Sequence, residues 1–174
     1  MTTRLAKWLG GTVAVGAVVM ALSGCAPVEH TYAANGRCLH FQLSVTAEVH
    51  PGSTTGSPSW DLAFTNTSPV ACVFGGVPTV RFRGSTASIG AGTVSRAESD
   101  DMAVQVGAGD TAYAHIELSR PAGGCAAVRV GSIAVVAPHV AGGGWVLTPP
   151  ARFNGCAGSV TVASVGNVTS HRSK

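Results

Sequence analysis

Leu39-His40-Phe41-Gln42-Leu43-Ser44-Val45-Thr46-Ala47-Glu48-Val49 alternates apolar and polar residues without a break. Leu39, Phe41, Leu43, Val45, Ala47 and Val49 fall on one face of an extended chain, and His40, Gln42, Ser44, Thr46 and Glu48 on the other. A period of two marks a strand with one buried and one wet face. The spacing therefore predicts a strand over 39–49, followed by a loop at Pro51-Gly52-Ser53-Thr54-Thr55-Gly56-Ser57-Pro58.

The pattern continues outward from this strand. Trp60, Leu62 and Phe64 alternate again, so Trp60 reads as core, and the run ends at the turn signal Thr65-Asn66-Thr67-Ser68-Pro69. Short strands follow at 70–74 and 79–83, around Gly75-Gly76-Val77-Pro78. Residues 84–101 read as a long loop holding a short strand. Segments 102–106 and 111–118 flank Gly107-Ala108-Gly109-Asp110 as a hairpin. Further strands are expected at 126–136, 145–147 and 159–165. Eight or nine strands at this spacing predict an all-β protein. The expected architecture is an immunoglobulin-like, Greek-key β-sandwich over 37–166, with antiparallel connections and a loose tail at 167–174.

Composition agrees with an exported domain. Only 11% of the 174 residues are charged, while glycine and proline number 23 and 9. There are 11 basic and 8 acidic residues, and setting aside Arg4 and Lys7 leaves 9 against 8. A net of +1 is no footprint for nucleic acid. Residues 1–24 have the parts of an export signal: Arg4 and Lys7, an apolar stretch from Leu9 to Leu22, then Ser23 and Gly24. The stretch is short for a membrane-spanning helix.

Leu22-Ser23-Gly24-Cys25 resembles the lipobox of bacterial lipoproteins. The resemblance implies cleavage before Cys25, diacylglyceryl alkylation of its thiol and often acylation of the new amine. Residues 25–36 would then be the lipidated N-terminus and tether. The expected location is the extracytoplasmic face of the cell membrane.

Removing Cys25 from the count leaves Cys38, Cys72, Cys125 and Cys156, an even number in an exported chain, where cysteines pair. No two are close enough for a four-thiolate zinc site. Three connectivities are open. Cys38 shares the parity of His40 and Gln42, which places it at the start of the strand or on its outer face.

Chemistry-bearing motifs are sparse. There is no Gly-x-Ser-x-Gly elbow and no phosphate-cradling loop, and the adjacent carboxylates Asp100 and Asp101 would point to opposite faces. No catalytic residue, metal ligand or cofactor is assigned. His40, on the polar face of the first strand, could share a surface with Tyr113 and His115 if their strands are neighbours. Trp145, beside three glycines, is a plug for the core or an exposed aromatic.

The order of pieces around Thr65-Asn66-Thr67, Cys72 and Gly76-Val77-Pro78 resembles a family of actinobacterial exported proteins, domain of unknown function four-two-three-two. Cys38 matches its opening cysteine, Val104–Ala112 its later turn, and Cys125 and Cys156 its last pair. Ala108 departs from the family's usual proline. The resemblance implies a disulfide-bearing sandwich, commonly lipidated, and supports sequential pairing of Cys38 with Cys72 and Cys125 with Cys156. It carries over no catalytic residue. The function expected is a non-catalytic, lipid-anchored binding or accessory module, with an envelope protein or glycan as partner. The alternative is a metal-handling or redox protein using surface histidines.

Overall fold

A computed structural model describes residues 36–55, 58–84, 90–95, 103–118, 126–156, 160–165 and 167–172. The chain is a disulfide-bridged β-sandwich, with no α-helix among the described residues. Its strands are β1 (Leu43–Val49), β2 (Ser59–Asn66), β3 (Cys72–Gly75), β4 (Thr79–Gly84), β5 (Gly90–Ser95) and β6 (Ala103–Val106). They continue with β7 (Thr111–Leu118), β8 (Ala127–Val136), β9 (Trp145–Leu147), β10 (Asn154–Cys156) and β11 (Val160–Val165). One sheet has the order β1-β2-β7-β11-β5, and the other β10-β8-β4 with β9 also on β8. β3 and β6 form a separate pair. The pairing is antiparallel except between β11 and β5, which run parallel, a departure from the antiparallel expectation.

The core forms where the apolar faces meet. Trp60 of β2 meets Phe82 of β4 and Phe153 edge-on, with centroids 6.1 and 5.8 Å away. Phe64 packs on Phe74 of β3 at 5.2 Å and meets the ring of Trp145 at 6.1 Å. Such aromatic pairs add to the burial of their large apolar areas. Trp60 is therefore core, and Trp145 is a half-buried plug against it.

Four local features differ from the sequence reading. The regular strand begins at Leu43, because His40–Gln42 is a 3-10 turn. The Gln42 side chain accepts the Leu39 N–H at 2.7 Å, and the Gln42 N–H donates to the Leu39 carbonyl at 2.9 Å. Closing this turn breaks the alternation over residues 40–42, while β1 keeps the expected phase from Leu43 onward. Gln42 becomes buried and Phe41 lies 52% exposed, while Cys38 turns fully inward to meet Cys72.

The expected hairpin at Gly107–Asp110 is instead a crossing between sheets: β6 pairs with β3, whereas β7 pairs with β2 and β11. The turn itself is tight, with the Asp110 N–H bonded to the Gly107 carbonyl at 3.1 Å and Gly109 at φ +79°. β10 is a three-residue strand that periodicity could not reveal. Finally, residues 167–172 are not a loose tail. Val168 is buried and donates to the Gly76 carbonyl, and Thr169 exchanges two 2.8 Å backbone bonds with Tyr113, continuing the edge of β7 beyond β11.

The Thr-Asn-Thr turn is the polar hub. Asn66 is fully buried, and its amide nitrogen donates to the carbonyls of Val70 (2.8 Å) and Val106 (3.0 Å). Its side-chain oxygen accepts from the N–H (3.0 Å) and hydroxyl (2.8 Å) of Ser68. A buried amide with its partners satisfied fixes one conformation, and here it ties β2 to β6.

Candidate functional site

Strand register sets up a polar row on the outer face of the first sheet. Glu48 of β1 lies opposite Asp61 of β2, and Asp61 opposite His115 of β7. β2 is central, so Asp61 is flanked on both sides. His50, just past β1, closes over it, and its own N–H donates to the Ser59 carbonyl at 3.1 Å. Asp61 is 0% exposed.

An ionised carboxylate in such a position must be paired. Asp61 accepts at 3.0 Å from the Nδ1 of His115 through Oδ1 and at 3.0 Å from the Nδ1 of His50 through Oδ2. A carboxylate has no proton to give, so Nδ1 of each ring is the donor. The Nε of Arg172 donates to Oδ2 as well. Arg172 reaches onward to the Val49 carbonyl and to Glu48, both at 3.2 Å, with its guanidinium 5.7 Å from the centre of the Tyr113 ring. The two imidazoles meet edge to face at 4.4 Å. Burial pushes the Asp61 carboxyl up, but the hydrogen bonds from His115, Arg172 and His50 outweigh it and hold the group below its ordinary range. Asp61 in turn raises Arg172.

This arrangement can do two things. It clasps the C-terminal segment across β7, β2 and β1. It also gathers a potential ligand set, since one ligating atom from each of His50, Asp61 and His115 lies within 4.8 Å of the others.

The structure divides the expected surface trio. Tyr113 and His115 share the outer face of β7, but His40 does not join them. The 3-10 turn carries His40 to the loop before β9, where it stacks on Trp145 at 4.5 Å and bonds the Gly144 carbonyl at 3.3 Å. His50, Asp61 and Arg172 escaped the sequence reading. Asp61 sits between Trp60 and Leu62 in an apolar strand, and a charge in such a run was the available signal. Of the cysteines, Cys38 and Cys72 form the bridge. Cys25 and Cys125 lie outside the described residues, and of Cys156 only the backbone is described, opposite Ala127.

A family model described as "Domain of unknown function (DUF4232)" matches residues 38–169. The chain belongs to the DUF4232 family. The matched span opens at the bridged Cys38 and closes at Thr169, so this DUF4232 domain includes the segment that pairs with Tyr113. No curated protein and no solved structure matches the chain.

Proposed function

We propose that this DUF4232 protein is a lipid-anchored module on the extracytoplasmic face of a bacterial cell envelope, acting by binding and not by catalysis. The observation that carries the reading is the state of Asp61. The Asp61 carboxylate is buried, saturated by three donors and used to hold the segment that carries Arg172, which leaves it no role as general acid or base. The lipobox-like Leu22-Ser23-Gly24-Cys25 supports the anchor. A rigid sandwich held near a membrane presents its loops and sheet faces to neighbours at raised effective concentration. An envelope protein or glycan is the partner class that fits this position.

The test is metabolic labelling with palmitate in the native host, together with in-cell cross-linking. Wild-type protein incorporates label, Cys25→Ala does not, and one envelope component co-purifies reproducibly. Unlabelled wild-type protein in the aqueous phase of a detergent partition would refute the anchor.

A second reading is favoured by the convergence of His50, Asp61 and His115, which suits a transition metal of the zinc or copper type. It replaces the earlier pairing of His40 with His115. Loading would require Arg172 to withdraw from Asp61. Stoichiometric metal in the purified protein, lost in His115→Ala, would favour this reading over the first. The redox variant loses support at the described bridge, because Cys38 and Cys72 are buried and exchange needs access.

A further inference from the structure

The two sheets carry opposite charge on their outer faces. Glu48, Asp61 and Glu117 lie on the first, where Arg172 offsets part of their charge. On the second, Val80, Phe82, Val130, Ile133 and Val135 point into the core, which turns Arg81 and Arg83 of β4 and Arg129 of β8 outward. Arg152, next to the core residue Phe153, is exposed and joins Arg129 in lining a cleft with Gly131, Thr148, Pro149 and Pro150. Residues 126–156 and β4 contain no Asp or Glu. Among the described residues, no ion pair involves any of these four arginines.

The same face is also apolar. Val146 of β9 lies opposite Ala134 of β8, which in turn lies opposite Arg81 of β4. Val146 is 70% exposed and Val136 is 50% exposed. Cations interleaved with exposed aliphatic side chains on one sheet face match a lipid headgroup layer, which offers phosphate outside and hydrocarbon beneath. A soluble polyanion would answer only the arginines.

We propose that the outer face of the β4–β8–β9–β10 sheet is a docking surface for the anionic phosphates of the membrane in which Cys25 is anchored. The proposal rests on the lipid-anchored reading above. The chain from Cys25 to Gly36 can span at most about 40 Å when fully extended, so the domain never leaves the neighbourhood of the headgroups. Arginine phosphate contacts would hold it flat, and Val136 and Val146 would enter the interface. The first sheet, with its acidic groups and the Asp61 clasp, would then face outward to partners.

The test uses processed, lipidated protein in vesicles of phosphatidylcholine alone or mixed with phosphatidylglycerol. Phenylglyoxal modification is read at each arginine by mass spectrometry, with Arg37 as the internal reference. On anionic vesicles, Arg81, Arg83, Arg129 and Arg152 react at least about fivefold more slowly than on neutral ones, the gain expected of a single cation at such a surface. Molar salt removes the protection. Val146→Asp and Arg129→Glu, both at exposed positions, weaken it without changing the thermal midpoint.

Equal rates on both vesicle types, with the protein retained on both, overturn the docking and leave the anchor standing. Protein released from both overturns the anchor and the docking with it. Protection of Arg129 and Arg152 by inorganic phosphate alone, equal to that by anionic vesicles, overturns the membrane assignment in favour of a soluble anion.

Discussion

Arg172 donates its Nε proton to the buried carboxylate of Asp61 across 111 positions of sequence. This contact, with those from His50 and His115, makes the last described residue of the chain part of the sandwich.

Stability should depend on pH through Asp61. Its folded pKa is lowered, so its contribution is complete above the ordinary carboxylate value and is lost as pH falls through the folded one. Urea midpoints for wild type and Asp61→Asn should therefore differ most near neutrality and converge in acid. Removing one partner of a buried ion pair costs about 3 kcal/mol at neutral pH. A gap that widens on acidification would contradict the assignment.

Arg172→Ala should cost less, about 1–2 kcal/mol, because the guanidinium is partly exposed. Amide exchange at Tyr113 and Thr169 should accelerate, since their mutual bonds lose the clasp. Unchanged exchange at both would show that Val168 alone holds the segment.

Replacing Cys38 and Cys72 together by alanine should lower stability by about 3–4 kcal/mol, from the chain entropy of a 34-residue separation. Non-reducing peptide mapping should also recover Cys125 linked to Cys156. Cys156 ends β10 opposite Ala127, and Cys125 lies outside the described residues, so the mapping decides this pairing. Two free thiols at 125 and 156 in protein from its native host would exclude this pairing.

Asn66→Ala should be among the most damaging single changes, at about 3 kcal/mol. It removes the buried donor to the Val106 carbonyl and the bonds to the Val70 carbonyl and the Ser68 N–H. The loss should appear in the denaturation midpoint, with Cys38–Cys72 still formed.

Ala108→Pro should stabilise by about 0.4–1 kcal/mol. Ala108 has negative φ and Gly109 sits at +79°, the signature of a type II turn, whose second position favours proline. The family's usual proline thus has a physical cause, and alanine leaves the turn intact. A lowered thermal midpoint in Ala108→Pro would show the turn to be of another type.

Much of this architecture was legible along the chain. Trp60, Leu62 and Phe64 announced a buried strand face, Thr65–Ser68 and Gly107–Asp110 announced turns, and the even count of cysteines after Cys25 announced bridging. These signals are local: backbone period and turn chemistry operate over a few residues, so a single segment carries them. What tertiary structure alone decided was partnership. Whether Gly107–Asp110 closed a hairpin or crossed between sheets depended on which strands offered β6 and β7 a better apolar face. The point at which β1 begins depended on a glutamine side chain that bonded Leu39 in place of a ladder. Asp61 drew its meaning from His50, His115 and Arg172, which lie 11, 54 and 111 positions away. A charge in an apolar strand states a need, but only the folded chain can bring together the groups that meet it.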